Sequence, residues 1–319
     1  MNTPSTRVAV VQQPPVLLDR DATLAAAVTH LHTSADAGAA LTVFPEAYVP
    51  GYPVWIWNLR PGPDYALTSD IHEVLLANAV DLEADGLAPL RQAAAERSVT
   101  VVCGVHEREG AFGRSTIYNT LVTIGPDGEV LNRHRKLVPT NPERMVWGAG
   151  DASGLRVVPT PAGRLAGLIC WENYMPLARV ALYGEGVEIY IASTWDSGDI
   201  WISSLRHIAA EGRCFVIGSG CSLRTRDIPA TFPGRDQVFG HTDEERWLNP
   251  GDSVIIRPGG EIMAGPMHEA HGILYADIEP GQVASEHRTL DVVGHYARND
   301  VFTLTIDRTA RSPIASTPD

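Results

Sequence analysis

The amino-acid sequence predicts a single α/β domain in which helices cover β-sheets. Short apolar runs, typical of buried strands, alternate with longer segments whose apolar residues recur at helical spacing. The 319 residues are 44% hydrophobic and 20% charged, which is the composition of a globular protein with a sizeable core. No internal repeat, low-complexity segment or linker interrupts the alternation, so one domain accounts for it.

The first half of the chain begins with a strand over 7–12 and an Ala- and Leu-rich helix over 21–37. A second strand, over 41–44, leads into a loop over 48–65 that is rich in aromatic residues, Pro and Gly. The remaining elements of this half are helices over 67–79 and 87–97, and strands over 99–105, 118–124 and 130–136, the last two joined by a Pro-Asp-Gly turn.

The second half of the chain begins with an apolar strand over 165–169. A helix over 176–183 follows, because Pro176 suits the first position of a helix. The polar segment 223–249 predicts an irregular excursion. The other elements of this half are a helix over 200–211 and strands over 187–192, 214–218, 253–257, 261–264 and 273–278.

Charge and cysteine content exclude several classes of protein. A formal net charge of −13 and a pI near 5.3 argue against nucleic acid or an acidic membrane surface as a partner. No stretch approaches membrane-spanning length and no secretory segment precedes the first strand, so we expect a cytoplasmic protein. Four widely spaced cysteines without a CxxC pair exclude a zinc ribbon and argue against a disulfide framework.

The remaining cysteines and histidines have simple interpretations. Cys103, Cys214 and Cys221 lie in or beside strand-like runs, so we expect them to be packing residues. His268 and His271 lack the spacing of the two-histidine zinc helix, and a Gly-Pro pair precedes them. We therefore interpret them as part of a surface loop and predict no metal site.

Three apolar runs each lead to a reactive side chain: Glu46, Lys136 and Cys170. The carboxyl ends of strands converge on the binding crevice in open α/β sheets, so we expect these groups to meet. A thiol with a carboxylate base and a cation for developing negative charge suits nucleophilic catalysis. Cys170 also precedes a predicted helix, whose dipole would favour a thiolate.

Each of these residues also has a simpler interpretation. Cys170 could be a buried packing cysteine, Glu46 a solvated loop acid and Lys136 one of several surface cations. Their common placement at strand ends favours the catalytic interpretation. The residues alone predict a cysteine hydrolase or acyl-transfer enzyme and leave the substrate open.

Three segments resemble, in order and spacing, the glutamate, lysine and cysteine motifs of the nitrilase superfamily: 44–53 (FPEAYVPGYP), 135–151 (beginning RKLVPT and ending WGAGD) and 167–176 (GLICWENYMP). The similarity extends to 290–296 (LDVVGHY) near the C-terminus and covers nearly the whole chain. Trp171 and Glu172 directly after the cysteine are typical of the nitrilase branch. The chain is therefore identified as a member of the nitrilase branch of the carbon–nitrogen hydrolase superfamily.

The resemblance implies an αββα four-layer sandwich over residues 1–307, with a short C-terminal tail over 308–319. It also implies a homodimer or higher homo-oligomer. The short tail argues against the extended filaments that many relatives form. The implied reaction converts a small-molecule nitrile and two waters into a carboxylic acid and ammonia without a cofactor.

The resemblance also assigns roles to individual residues. Cys170 is the nucleophile that forms a thioimidate and then a thioester, and Glu46 is the general base and acid. Lys136 stabilises developing charge, aided by the backbone N–H of Trp171. Glu143 matches the second glutamate of the family, which holds Lys136 and the substrate; a structural ion pair with Arg144 is the alternative.

Tyr52, Trp171, Tyr174 and Trp195 are the candidate substrate-binding residues, because aromatic walls suit an apolar substituent on the nitrile. For Trp195, simple core packing is the alternative. The aromatic-rich loop favours an aryl-bearing nitrile, with an aliphatic nitrile left open. Two other functions use the same sequence features: an amidase or carbamoyl-type hydrolase with the same three residues, and a non-catalytic binding subunit.

The chain departs from the family pattern at a few positions. The Asn-Pro pair at 141–142 replaces a histidine or tyrosine followed by alanine, and it could alter the shape of the pocket. Ala152 and Asp252 each stand where relatives commonly have glycine. None of these departures falls on Glu46, Lys136 or Cys170.

Overall fold

The computed structural model describes residues 5–110, 115–240 and 243–311, which form two β-sheets between layers of helices. The strands are β1 (Thr6–Gln12), β2 (Leu41–Val43), β3 (Thr100–Arg108), β4 (Ile117–Ile124), β5 (Val130–Arg135), β6 (Val158–Thr160), β7 (Gly163–Ile169), β8 (Ile189–Thr194), β9 (Phe215–Gly220), β10 (Ser222–Arg224), β11 (Trp247–Ile256), β12 (Ile262–His268) and β13 (Gly272–Ile278). The α-helices are α1 (Arg20–Asp36), α2 (Tyr65–Asn78), α3 (Ala88–Arg97), α4 (Pro176–Tyr183), α5 (Asp199–Gly212), α6 (Arg235–Phe239) and α7 (Val283–Glu286).

The first sheet has the strand order β13-β1-β2-β3-β4-β5. Strands β1, β2 and β3 are parallel, whereas β4 is antiparallel to both β3 and β5. Two successive antiparallel steps restore the original direction, so β2 and β5 run the same way. Their carboxyl ends therefore lie at the same edge of the sheet.

The second sheet has the strand order β10-β11-β9-β8-β7-β6, with β12 also paired to β11. Its central strands β7, β8 and β9 are parallel, and β6 and β11 are antiparallel to their neighbours. The carboxyl end of β7 therefore lies beside that of β8.

Apolar side chains on both faces of the sheets hold the layers together. On β1, Val8 and Val10 join a core between the two sheets, where they pack with residues such as Ile191 and Ile217 of the second sheet. Val11, the next residue along β1, faces the opposite way, toward α1 and α3. The outer face of the second sheet packs against α4 and α5. This burial on both faces explains the continuous apolar runs in the sequence, and the four-layer αββα prediction is confirmed.

The predicted elements agree best with the structure where the apolar pattern is long. The helix predicted over 176–183 has those bounds; α1 differs from its prediction by one residue at each end, and α3 by one residue at its start. The prediction for 223–249 was wrong in part, since α6 lies within it and β11 begins at Trp247. Strand β11 contains Pro250 and a bulge beside Gly251, features that usually mark the end of a strand.

The prediction of a surface loop for both histidines was wrong for His268. This residue ends β12, which continues through the Gly-Pro pair at 265–266. Nδ1 of its ring lies 2.7 Å from Oδ1 of Asp252, and this buried carboxylate accepts a hydrogen bond from the ring. Asp252 has a φ of 65°, in the left-handed region that glycine adopts most readily.

Residues after the predicted domain boundary at 307 remain in contact with the domain. Arg308 donates a hydrogen bond to the carbonyl oxygen of Leu155 and pairs with Glu185. The N–H of Arg311 donates to Asp151 at 2.7 Å. The last part of the predicted tail, 312–319, lies outside the described residues, so the boundary at 307 stays a prediction.

Along the described segments, no helix is both long and apolar enough to cross a membrane. The four cysteines are buried free thiols, in line with the expected packing role of Cys103, Cys214 and Cys221. Burial raises the pKa of the Cys214 thiol to about 12.

Candidate active site

The three strand-end residues meet between the two sheets. Glu46 follows β2 and Lys136 follows β5 at one edge of the first sheet, while Cys170 follows β7 of the second sheet. All three are buried. The Cys170 sulfur and carboxylate oxygens of Glu46 and Glu143 lie within 4.8 Å of one another. The alternatives of a solvated acid and a surface cation are therefore excluded for Glu46 and Lys136.

Lys136 lies between two carboxylates. Its ammonium is 2.9 Å from Oε1 of Glu46 and 2.7 Å from Oε2 of Glu143. Burial alone would lower the pKa of Lys136, but the negative charges around it outweigh burial and raise its pKa above the usual range. Lys136 is therefore a permanent cation in the site.

The carboxylate of Glu46 accepts hydrogen bonds from three sides. Besides Lys136, Asn119 Nδ2 donates to Oε1 and the backbone N–H of Trp195 donates to Oε2, both at 2.7 Å. Burial raises the pKa of Glu46, and the charge of Lys136 only partly offsets this rise. A carboxylate with a raised pKa is a better proton acceptor than an ordinary one.

The turn that carries Glu46 depends on close backbone packing. Ala47 has a φ of 48°, in the left-handed region that few residues other than glycine adopt. Gly104 of β3 lies directly beneath this turn, where a Cβ would overlap the carbonyl oxygen of Pro45. The thiol of Cys221 donates to the carbonyl oxygen of Glu46 at 3.3 Å. Cys221 therefore packs in the core and also holds the backbone of Glu46 through this hydrogen bond.

Glu143 is held by a short 3-10 helix, Asn141–Met145. The backbone N–H of Thr140 donates to its Oε2 at 2.7 Å, which caps this helix. The hydroxyl of Tyr52 donates to Oε1 at 2.8 Å. Arg144 instead donates to the carbonyl oxygen of Pro139, so the alternative of a Glu143–Arg144 ion pair is not what the structure contains.

Cys170 adopts a strained backbone conformation. Its φ is 52°, and such outliers persist in functional sites when the surroundings hold them. Cys170 begins a 3-10 helix, Cys170–Tyr174, and the α-helix starts only at Pro176. Burial raises the pKa of the Cys170 thiol, and the charge of Glu46 raises it further. The expectation that a helix dipole favours a thiolate was wrong, because α4 begins only at Pro176 and the dipole of a helix acts within about one turn of its end.

Two of the four predicted substrate-binding residues border the cluster. Tyr52 and Trp195 stack with their ring centroids 4.3 Å apart, and Tyr52 meets Trp147 edge-on. With Glu46 and Cys221, this pair lines an enclosed cavity of about 10 Å³. Because the backbone N–H of Trp195 also donates a hydrogen bond to Glu46, Trp195 does more than pack in the core.

The other two predicted substrate-binding residues lie at the surface. Trp171 is 52% exposed, and its indole N–H donates to Asp196 at 2.8 Å. Tyr174 is 40% exposed and packs edge-on against Trp201. Tyr174 lines an open groove of about 550 Å³ between α4 and α5, away from the cavity beside Glu46.

The sequence pattern of the carbon-nitrogen hydrolase family matches residues 7–288. The chain belongs to this family. It is 39% identical over 320 residues to a bifunctional nitrilase/nitrile hydratase of Nicotiana tabacum, a match that covers 99% of this chain and 90% of the relative. It is also 39% identical over 312 residues to an aliphatic nitrilase of Sinorhizobium fredii (strain HH103), with 97% and 98% covered. Within the carbon-nitrogen hydrolases, the chain is thus grouped with nitrilases.

Solved structures share the fold of this carbon-nitrogen hydrolase. A carbon-nitrogen hydrolase of Helicobacter pylori G27 superimposes with a TM-score of 0.70 at 19% identity, covering 93% of this chain and 97% of the other. The NitFhit protein of C. elegans superimposes with a TM-score of 0.71 at 19% identity, covering 98% and 70%. At this identity the likeness bears on the fold alone.

Sequence reasoning missed several residues around this cluster. Asn119 was visible as an amide side chain inside the strand predicted over 118–124, and such a group needs hydrogen-bond partners when it is buried. Trp147 lies in the quoted lysine motif, and its ring is 5.8 Å from the ammonium of Lys136. Its indole N–H donates to His106, whose pKa burial lowers to about 4. Apart from its place in the lysine motif, nothing in the sequence indicated that Trp147 lies near Lys136.

Glu46, Glu143 and Cys170 together have the donor atoms for a metal ion. The ammonium of Lys136 already contacts both of these carboxylates. A divalent cation in the same position would be repelled by Lys136 at contact distance. Lys136 therefore supplies the positive charge between these carboxylates, and a bound metal ion fits the cluster poorly.

Proposed function

We propose that this carbon-nitrogen hydrolase converts an organic nitrile into the carboxylic acid and ammonia, with Cys170 as its nucleophile. One observation supports this most strongly. A buried thiol lies beside a carboxylate of raised pKa and a lysine held by two glutamates, in a chain 39% identical to nitrilases. These are the groups that addition of a thiol to a carbon–nitrogen triple bond requires.

In the first half of the reaction, Glu46 takes the proton of the Cys170 thiol as the sulfur attacks the nitrile carbon. The same carboxyl then gives this proton to the nitrogen, which produces a covalent thioimidate. Glu46 next removes a proton from a water that adds to the thioimidate carbon. Glu46 gives this proton to the nitrogen, and the remaining hydroxyl proton follows it to the nitrogen as the C–N bond breaks, which releases ammonia and leaves the C=O group of a thioester.

In the second half, Glu46 activates another water that attacks the thioester carbonyl. Cleavage of the C–S bond releases the carboxylic acid, and the departing sulfur regains a proton from Glu46. Lys136 stabilises the negative charge that develops first on nitrogen and later on oxygen. We propose that the backbone N–H of Trp171 assists it. Glu143 keeps the ammonium of Lys136 in place.

The aromatic residues support an apolar substrate. Tyr52 and Trp195 stack beside Glu46, and Trp147 extends the same wall. We propose that these rings contact the organic group of the nitrile, which is aryl-bearing or aliphatic. Trp171, next to the nucleophile but half-exposed, would contact the outer part of a longer substrate.

The experiment measures ammonia, acid and amide from phenylacetonitrile, benzonitrile, 3-phenylpropionitrile, an aliphatic dinitrile and the matching amides. We expect acid and ammonia from at least one nitrile, and none from the Cys170→Ala variant. Cys214→Ala is the matched control, because Cys214 is also buried but packs in the core beneath α4 and α5. Turnover of amides alone would indicate an amidase, and activity that survives in Cys170→Ala would exclude the thiol mechanism.

We also propose that the protein is a homodimer or higher homo-oligomer in the cytoplasm. Leu177 on α4 and Ile200 on α5 are 66% and 79% exposed beside the groove that contains Tyr174. Burying such side chains against a second copy is favourable. Sedimentation of the wild type and of Ile200→Asp tests this: the wild type should sediment as an oligomer, and the variant as a species of lower mass.

The buried free cysteines support a reducing compartment, and cell fractionation tests the proposed cytoplasmic location.

A further inference from the structure

Glu172 is a buried carboxylate that the proposed mechanism does not use. It lies two residues after Cys170 and is 2% exposed. A charged group is costly to bury unless it is paired and hydrogen-bonded. Its presence beside the nucleophile therefore calls for an explanation in terms of its contacts.

The carboxylate accepts hydrogen bonds from three donors. The backbone N–H of Leu137 donates to Oε1 at 2.6 Å, and the backbone N–H of Ile169 donates to Oε2 at 2.8 Å. Nε2 of His134, also buried, lies 3.0 Å from Oε2. Burial alone would raise the pKa of Glu172, but His134 and the two N–H groups outweigh burial and lower it. Glu172 is therefore an anion.

These donors flank the proposed catalytic groups. Leu137 directly follows Lys136, and Ile169 directly precedes Cys170. His134 lies on β5, whose end carries Lys136. Strand β5 belongs to the first sheet and β7, which carries Cys170, to the second. One side chain thus connects the two strand ends across the space between the sheets.

We infer that Glu172 is a positioning residue that holds the Cys170 turn of one sheet in register with the Lys136 strand end of the other. This inference rests on the proposed function. Cys170 is in a strained backbone conformation, which persists only where the surroundings hold it. A displacement of about 1 Å between reacting groups costs about 100-fold in rate, so loss of this link affects the chemical steps more than substrate binding.

Glutamine at this position tests the link without a change in volume. A glutamine offers one carbonyl oxygen and one NH₂ group, so either the Leu137 or the Ile169 N–H would face another donor. One of the two backbone hydrogen bonds is then lost. The buried cavity remains filled, which separates this effect from a loss of packing.

Glu107→Gln is the matched control. The Glu107 side chain is 1% exposed, and its carboxylate accepts from Thr120 and pairs with Arg133 and Arg135 on either side of His134. It therefore braces the same strand β5 from within the first sheet. Its contacts do not reach the strand that carries Cys170.

We expect Glu172→Gln to lower kcat for the best nitrile by about 100-fold while KM stays within about threefold. Glu107→Gln should lower the melting temperature about as much as Glu172→Gln does, but its kcat should stay within about threefold of the wild-type value. Equal losses of kcat in the two variants would mean that Glu172 only stabilises the fold. A kcat for Glu172→Gln close to the wild type would also overturn the inference.

A second measurement separates this inference from the proposed function. If the wild type turns over no nitrile, the function fails, but alkylation of Cys170 by iodoacetamide still reports the geometry of the site. Mass spectrometry of the peptide with Cys170 should show slower alkylation by about tenfold in Glu172→Gln, because the Lys136–Cys170 geometry changes. Alkylation should be unchanged in Glu107→Gln. Equal rates in all three proteins would overturn the inference.

Discussion

Lys136 is held between Glu46 and Glu143, and replacing it with methionine measures what this arrangement contributes to stability. Methionine has a similar length but no charge. The variant would leave two carboxylates buried without their cation, with oxygens no more than 4.8 Å apart. At an effective dielectric constant of about 20, two negative charges at this distance repel by about 3.5 kcal/mol or more.

The pH dependence gives this prediction its sign. Without Lys136, protonation of one carboxyl relieves the repulsion, so the pKa of the pair in the folded variant lies above that of an unfolded glutamate, about 4.3. Above this value the folded variant binds more protons than the unfolded chain, so its stability falls as pH rises. We expect a loss of about 3–5 kcal/mol relative to the wild type at about pH 8 and a smaller loss at about pH 5.5.

Urea unfolding of the wild type and of Lys136→Met at both pH values tests this reasoning. Arg7→Met is the control, because Arg7 forms an ion pair with Asp277 in which both side chains are about half exposed. Exposed pairs contribute little, so this variant should unfold like the wild type. A Lys136→Met protein as stable as the wild type at the higher pH, or with the same loss at both, would refute the calculation.

Three other predictions concern neighbouring residues. Tyr52→Phe removes the hydroxyl that donates to Glu143, and we expect kcat to fall about tenfold with a stability loss of about 1–3 kcal/mol; unchanged kinetics would contradict this. Gly104→Ala should lower both the melting temperature and kcat because its Cβ overlaps the turn that carries Glu46. Gly184→Ala is the control: its added Cβ would lie 3.4 Å from the nearest atom, so the melting temperature and kcat should not change. Because burial raises the pKa of Cys170, its alkylation by iodoacetamide should still accelerate with pH above about 8; a plateau at lower pH would indicate a thiolate.

The convergence of Glu46 and Cys170 could be predicted from the sequence because each follows an apolar run. Lys136 could be added because its strand begins with Val130 and Leu131 before it continues through a basic, partly exposed run. Strands buried on both faces leave continuous apolar patterns, and the polar residue after such a run marks the end of the strand. Helix α4 could be predicted because Pro176 suits the first position of a helix, and α1 because its segment is rich in Ala and Leu. These features depend on residues that are close together in the sequence.

The hydrogen bonds that orient the site could not be predicted in the same way. Tyr52 and Glu143 are 91 positions apart, and Asn119 and Glu46 are 73 positions apart. No local pattern indicates which distant side chain fills a given hydrogen bond. The early start of β11 was missed for a related reason, because its pairing with β10 and β9 outweighs the unfavourable local sequence around Pro250.

The pair of carboxylates around Lys136 also affects how the reaction products leave. Two carboxyl groups share a single ammonium here, so acidic groups outnumber basic groups in the cluster. A nitrile enters as a neutral molecule, but the acid it yields is ionised near neutral pH. The newly formed anion therefore competes with Glu46 and Glu143 for the single ammonium of Lys136. The arrangement that steadies the lysine during the chemistry therefore also favours release of the acid.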